Sequence, residues 1–212
     1  MNFKIVFDYD GVLFKNSKGM NMVSERATEY VSDKLNVSYS EARRINKIQY
    51  KIHGHTVKFL QKNGIKTSME EFNDYVYGGL DWKEIERNLD VTDVMRFVDL
   101  SNLNNFQRQK SILFSNAPEF WVNETLNIMG GNTELFFDDV YCAESIYELK
   151  PNPCNYDLIE RNYPNDKLLF IDDTLLNVSN LGERWATRHF KDTDNVFEVG
   201  TELIQTGANC YI

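Results

Sequence analysis

Apolar residues along this chain change their period more than once, and each change predicts a different element. At Phe3–Phe7 (FKIVF), Ser111–Phe114 (SILF), Leu168–Ile171 (LLFI) and Ala186–Phe190 (ATRHF) the runs are short and rich in apolar and aromatic residues. Such runs predict strands, and near-continuous apolar character suits strands covered on both faces, as in a parallel sheet. Between Asn16 and about Arg96 the texture is helical instead. Val23, Ala27, Tyr30, Val31 and Leu35 recur at helical spacing, as do Ala42, Ile45, Ile48 and Ile52. Ser38 and Ser40 are cap candidates for the second of these helices, and Ser68 with Glu71 has the form of a capping box for a third. All four prolines (Pro118, Pro151, Pro153 and Pro164) fall in the second half, after strands or at helix starts. Pro118 is placed to open a helix over Glu119–Met129, and Gly130 and Gly131 to end it.

Strand and helix in alternation predict βαβ units and a doubly wound parallel α/β sheet. The helical block then interrupts the chain just after its first strand. The expected division is a core from residues 1–15 and 96–212, with a helical insertion at 16–95.

Composition narrows the class further. Of 212 residues, 42% are hydrophobic and 26% charged, which predicts a globular chain rather than a disordered one. The net charge of −9 speaks against general affinity for nucleic acid. Cys142, Cys154 and Cys210 make no paired framework and have no metal-type spacing, so reduced thiols in the cytoplasm are expected. Cys210 stands third from the end, which does not meet the prenylation pattern. No basic leader precedes an apolar run at Met1–Phe7, and no segment has the apolar length of a membrane span.

In an open α/β sheet the ligand site lies beyond the carboxyl ends of the strands. Those positions are polar here. The first strand ends in Asp8-Tyr9-Asp10-Gly11, the second in Ser115-Asn116, and a later one in Asp172-Asp173; Lys150 opens a Lys-Pro-Asn-Pro loop. Taken singly, an Asp-x-Asp-Gly is an ordinary turn, Ser115 and Asp172-Asp173 are ordinary helix caps, and a lysine is ordinarily solvated. Together they crowd Asp8, Asp10 and Asp172 at one sheet edge, a costly arrangement unless a cation or protons intervene. Hard oxygen donors suit Mg²⁺. Ser115 and Lys150 would offer a hydroxyl and a positive charge to phosphate oxygens. Nucleophile, acid–base, cation site and anion clamp make a phosphoryl-transfer site in outline.

The motifs Asp8-Tyr9-Asp10-Gly11-Val12-Leu13, Ser115-Asn116, Lys150-Pro151 and Ile171-Asp172-Asp173 resemble, in order and across the whole chain, those of the haloacid dehalogenase-like (HAD) hydrolase superfamily. The resemblance implies a Rossmann-like core, with the inserted block as the all-helical cap of the first subclass. Tyr50-Lys51-Ile52-His53-Gly54 and the Lys-Pro-Asn-Pro segment look most like the pyrimidine 5′-nucleotidase-like phosphatases. Carried across, Asp8 looks like the nucleophile that forms an aspartyl-phosphate, and Asp10 like the acid–base residue. Asp8, Asp172 and the Asp10 carbonyl would hold Mg²⁺, with Asp173 behind them. Ser115, Asn116 and Lys150 would bind the transferring phosphoryl group. Within the cap, Tyr50, His53 and Thr56 would line the substrate pocket.

The expected activity is therefore Mg²⁺-dependent hydrolysis of a small phosphorylated metabolite, with a nucleoside 5′-monophosphate as the nearest candidate. An acid two residues after the nucleophile disfavours dehalogenation. Two alternatives stay open: a phosphotransferase or mutase using the same phosphoaspartate, and a non-enzymatic binding module. Tyr9 is expected to point away from its two aspartates, and His53 and His55 do not share a helical face. Their plain alternative is surface or packing. Tyr75, Tyr77 and Trp82 are expected in the cap core, and His189 in a structural position away from the motifs. Asn177, one turn past Asp173, either bonds the motif loop or is ordinary helix polarity.

Overall fold

A computed structural model describes residues 2–146, 148–179 and 181–207; Cys210 lies outside them. In chain order, β1 (Asn2–Phe7) leads into α1 (Ser17–Leu35), α2 (Tyr39–His53), α3 (Thr56–Lys62), α4 (Met69–Tyr77) and α5 (Trp82–Arg87). There follow α6 (Val91–Gln107), β2 (Ser111–Phe114), α7 (Glu119–Ile128), α8 (Thr133–Phe136) and β3 (Phe137–Tyr141). The chain ends with α9 (Pro153–Asn162), β4 (Asp166–Asp172), α10 (Leu175–Val178), β5 (Trp185–His189) and α11 (Val196–Gly207). These form two compact units, one of residues 2–15 with 90–207 among the described residues, the other Asn16–Leu89. The whole of α6 belongs to the first unit, although the helical pattern in the sequence extends the insertion to residue 95.

The first unit is built on a parallel sheet in the order β3-β2-β1-β4-β5. β1 is central, so Ile5, Val6 and Phe7 are fully buried, as are Ile112 to Phe114 and Leu168 to Ile171 on its neighbours. This explains the unbroken apolar runs. From β1 the chain builds outward to β2 and β3, then returns to place β4 on the other side of β1. The strand order thus reverses at β1, and such a switch point leaves a crevice at the carboxyl ends.

Boundaries differ from the sequence expectation for physical reasons. β3 (FDDVY) carries two acidic residues and lies at a sheet edge, so it lacks the apolar run that marks the other strands. β4 extends to Asp166 and Asp172, and β5 begins at Trp185 and stops at His189. α7 starts at Glu119 behind Pro118 as its N-cap residue, and it stops at Ile128 with Met129 as its C-cap.

The second unit contains five helices among its described residues. Ser38 and Ser68 cap α2 and α4 by accepting from the Glu41 and Glu71 N–H groups. Tyr30 of α1 meets Phe72 and Tyr75 of α4 edge-on, each with ring centroids 5.3 Å apart. Tyr77 is buried and Trp82 half-buried. His55 caps α3, its Nδ1 accepting from the Val57 N–H at 3.1 Å while its ring meets Phe72 at 5.0 Å. Burial, with Lys58 nearby, pulls the His55 pKa down to about 4. None of the helices of the described residues is long and apolar enough to cross a membrane.

A histidine held neutral in this way favours the folded state only where the unfolded chain is also unprotonated. Its contribution is complete above the free-histidine pKa of about 6.5 and is lost as pH falls toward 4. His55→Asn keeps a capping side chain without the titrating ring. Urea unfolding should show the wild type losing about 2 kcal/mol more than His55→Asn between pH 7 and pH 5. Equal losses would contradict a neutral buried His55.

Candidate active site

The carboxyl ends of β1, β2 and β4 are fixed by backbone bonds at or one residue past the strand ends. Asp8 N–H donates to Ile171 O at 2.9 Å, and Ser115 N–H to Tyr141 O at 2.8 Å. Asp172 O accepts from Phe190 N–H at 2.9 Å. Three polar residues are therefore held as rigidly as the sheet itself.

Lys150 lies between two of these strand ends and is 1% exposed. Its Nζ donates to Asp8 Oδ1 at 2.7 Å, to Asp172 Oδ2 at 2.6 Å and to Phe114 O at 2.8 Å. The rings of Phe114 and Phe170 lie 5.1 and 5.4 Å from the same atom. A solvated lysine, the ordinary expectation, is ruled out by this burial. Asn116 holds the loop: its Oδ1 accepts from Lys150 N–H at 2.7 Å and its Nδ2 donates to Lys150 O at 3.2 Å. That pairing occupies both ends of the Asn116 side chain. Ser115, 1% exposed, accepts from the Ala117 N–H at 3.1 Å.

Asp172 is surrounded by further donors. Asn177 Nδ2 reaches its two oxygens at 3.1 and 3.0 Å, and Thr174 N–H donates to Oδ1 at 2.8 Å. Asn177 thus bonds the motif loop. His189 is nearer to the motifs than its sequence position suggests, since its Nε2 lies 2.9 Å from the Asp173 carbonyl. β5 pairs with β4 up to Asp172↔His189, and this register carries the ring there.

The segment after β1 folds back sharply. Gly11 N–H donates to Phe14 O, and the Leu13 and Phe14 N–H groups share Tyr9 O. Gly11 has φ +87°, and a Cβ there would sit 2.2 Å from Asp173 Oδ2. Only glycine serves both requirements. Arg96 of α6, 5% exposed, donates to the Gly11 and Val12 carbonyls from beneath. Tyr9 points away from the aspartates, its hydroxyl 2.6 Å from Thr125 Oγ1 in α7. Asp10 turns its carboxylate to α7, where Trp121 Nε1 donates to Oδ1 at 2.9 Å.

The carboxylates of Asp8, Asp172 and Asp173 can bring one oxygen each within 4.8 Å of one another. This crowding shows in their chemistry. Burial and the Asp172 charge raise the Asp8 pKa well above its ordinary value, against the pull of Lys150. Burial and Asp172 also raise Asp173. Burial lifts Asp10 to about 6, with the Trp121 hydrogen bond opposing the shift. Burial disfavours the Lys150 ammonium, but Asp172 and Asp8 outweigh it and its pKa is raised. One ammonium does not balance three converging carboxylates, and the donors are hard oxygens. That set fits a divalent cation such as Mg²⁺.

In the helical unit, Tyr50 is 49% exposed and His53 half-buried. The His53 ring stacks at 6.4 Å from Phe59, and Lys62 Nζ is 3.4 Å from its Nδ1. Thr56 is buried and donates to Asn46 Oδ1 at 2.8 Å. Trp121 and Arg96 escape a reading of strand ends because both act from helices. Arg96 does leave a sequence signal, a charge on the same helical face as Phe97, Leu100 and Leu103.

Comparison with solved structures identifies the fold. β-Phosphoglucomutase from Clostridium difficile matches with a TM-score of 0.60 at 17% identity, over 100% of this chain and 99% of that one. A predicted HAD-like family hydrolase from Porphyromonas gingivalis matches at 0.59 and 19%, over 97% and 98%. A HAD phosphatase from Thermococcus onnurineus matches at 0.50 and 14%, over 95% and 97%. No protein-family model matches the chain. The architecture is the Rossmann-like α/β fold of the HAD hydrolases.

Lys150→Met would leave two buried carboxylates without their ammonium. Removing one partner of a buried ion pair costs about 3–5 kcal/mol. In urea with EDTA, this variant should unfold with a loss of that order, and Mg²⁺ should restore more stability to it than to the wild type. A variant as stable as the wild type in EDTA would contradict the buried cluster.

Proposed function

We propose that this chain is a Mg²⁺-dependent phosphohydrolase that passes a phosphoryl group through Asp8. The observation that carries this reading is the buried Lys150 joining Asp8 to Asp172 at the switch point, with a second carboxylate, Asp10, on the same loop. Lys150 orients Asp8 and keeps a positive charge where a phosphoryl group would arrive. Asp8 and Asp172 would hold the cation with the Asp10 carbonyl, and Asp173 stands beside them. The cation would neutralise phosphate charge and align the phosphorus with Asp8.

In the first half-reaction an Asp8 oxygen bonds to phosphorus as the ester P–O bond breaks, and Asp10 gives the departing alkoxide its proton. In the second, the Asp10 carboxylate takes a proton from water as the water oxygen bonds to phosphorus and the P–O bond to Asp8 breaks. Inorganic phosphate leaves, and Asp8 and Asp10 return to their starting states. Ser115 would donate its hydroxyl to the phosphoryl oxygens. Asn116 serves this site by holding the Lys150 backbone.

For the substrate, the Tyr50–Gly54 stretch favours a nucleoside 5′-monophosphate among small phosphate esters, with Tyr50, His53 and Thr56 as the residues to test. A phosphomutase is the second reading. It uses the same set of groups, and a fold neighbour bears that name.

Phosphate release from nucleoside monophosphates, sugar phosphates and p-nitrophenyl phosphate, with Mg²⁺ or EDTA, tests the proposal. Turnover should require Mg²⁺, and Asp8→Asn should lower it by at least about 10³-fold. Turnover that survives in Asp8→Asn would contradict the nucleophile assignment. Phosphate appearing on an acceptor alcohol instead of in solution would favour the mutase.

A further inference from the structure

We propose that Trp121 is the positioning residue for Asp10, and that its indole N–H decides which Asp10 oxygen delivers the proton to the leaving group. The inference rests on the phosphohydrolase reading above and deepens it. Asp10 sits on a tight loop three residues past the end of β1, so the sheet alone does not fix its side chain. Trp121 supplies the missing constraint. It is 1% exposed, in the first turn of α7, and donates to Asp10 Oδ1 at 2.9 Å.

The indole is itself held in place. Phe14, at the close of the same loop, meets it edge-on at 5.5 Å and 85°. Tyr9 stacks on Phe14 at 5.8 Å, and the Tyr9 hydroxyl is tied to Thr125, one turn further along α7. Loop and helix are thus joined at two points, Tyr9 to Thr125 and Asp10 to Trp121, with Phe14 packed between them. Edge-to-face packing of this kind fixes ring direction as well as position. Tryptophan donates through one N–H and accepts nothing. A proton on Oδ1 would compete with that N–H, so the proton of the acid form sits on Oδ2. When the ester bond breaks, that proton passes from Oδ2 to the alkoxide. The resulting negative charge on the carboxylate is shared with an oxygen already hydrogen-bonded to the indole.

This role predicts a dependence on leaving group that a packing role does not. An alkyl phosphate releases a strongly basic alkoxide and needs the proton, whereas p-nitrophenyl phosphate releases a weak base and needs it little. Trp121→Phe keeps an aromatic ring against Phe14, although a smaller one, and removes the N–H. It should lower kcat/KM for the fastest alkyl ester of the panel about 30-fold, and for p-nitrophenyl phosphate less than about threefold. Thr125→Val, which cuts the neighbouring tie but leaves Asp10 bonded, should keep the ratio of the two esters at its wild-type value.

An equal fall for both esters in Trp121→Phe would overturn the proposal. So would a Thr125→Val variant that changes the ratio as Trp121→Phe does. Failure of the wild type to turn over any ester would overturn the phosphohydrolase reading, and this role with it. If Trp121→Phe does not fold, the Trp121 indole ¹⁵N–¹H resonance can be identified against Trp82→Phe and Trp185→Phe. It should move upfield in Asp10→Ala, and an unmoved resonance would overturn the proposal.

Discussion

The ion pair of Lys150 with Asp8 and Asp172 organises the residues around the switch point. Direct pairing of β1 with β4 sets the two aspartates side by side, and backbone bonds at or one residue past the strand ends remove their freedom to separate. In water two such carboxylates would simply be hydrated. Here Phe114 and Phe170 exclude water, so the carboxylates need a counter-charge, and Lys150 enters the core to supply it. The loop that carries Lys150 must then be held, which explains why Asn116 uses both ends of its amide on the Lys150 backbone. Asn177 and the Thr174 N–H complete the shell around Asp172.

A second layer shapes the loop after β1. Its carbonyls at Gly11 and Val12 point at Arg96, whose guanidinium also lies over the Phe190 ring. Its N–H groups close on Tyr9 O and Phe14 O, and the Lys15 N–H is taken by Asp93, which itself belongs to the capping box of α6. The chain leaves the first unit after Lys15 and re-enters it at Asp90, and these bonds join the two ends of that insertion. Loop length itself carries only a slow entropic penalty.

Much of this was legible in the sequence because strand ends are legible. The buried strands announce themselves as apolar runs, and Asp8, Asp10, Ser115 and Asp172 stand just past them. β3 was not legible, because an edge strand with Asp138 and Asp139 looks like a polar turn. Lys150 was placed near the site by its motif, but nothing in the residues around it says that its ammonium is buried. Trp121 looks like an ordinary core aromatic at helical spacing, and the one atom that matters, its Nε1, acquires meaning only when α7 is docked against the loop. Arg96 is similar, since a charge on an apolar helical face signals a buried partner without saying which one. For the cap residues the motif gave Tyr50, His53 and Thr56 one common role, yet their environments differ. Thr56 is buried on Asn46, while Tyr50 is half exposed.

Asp8 becomes covalently phosphorylated in the proposed reaction. Acid quenching during Mg²⁺-dependent turnover, followed by peptide mass analysis, measures this directly. One phosphoryl group should appear on the peptide that contains Asp8, labile to hydroxylamine and absent in Asp8→Asn. An active enzyme that shows no such adduct even when rapid quenching samples the first turnover, or that carries the phosphoryl group on another residue, would contradict it.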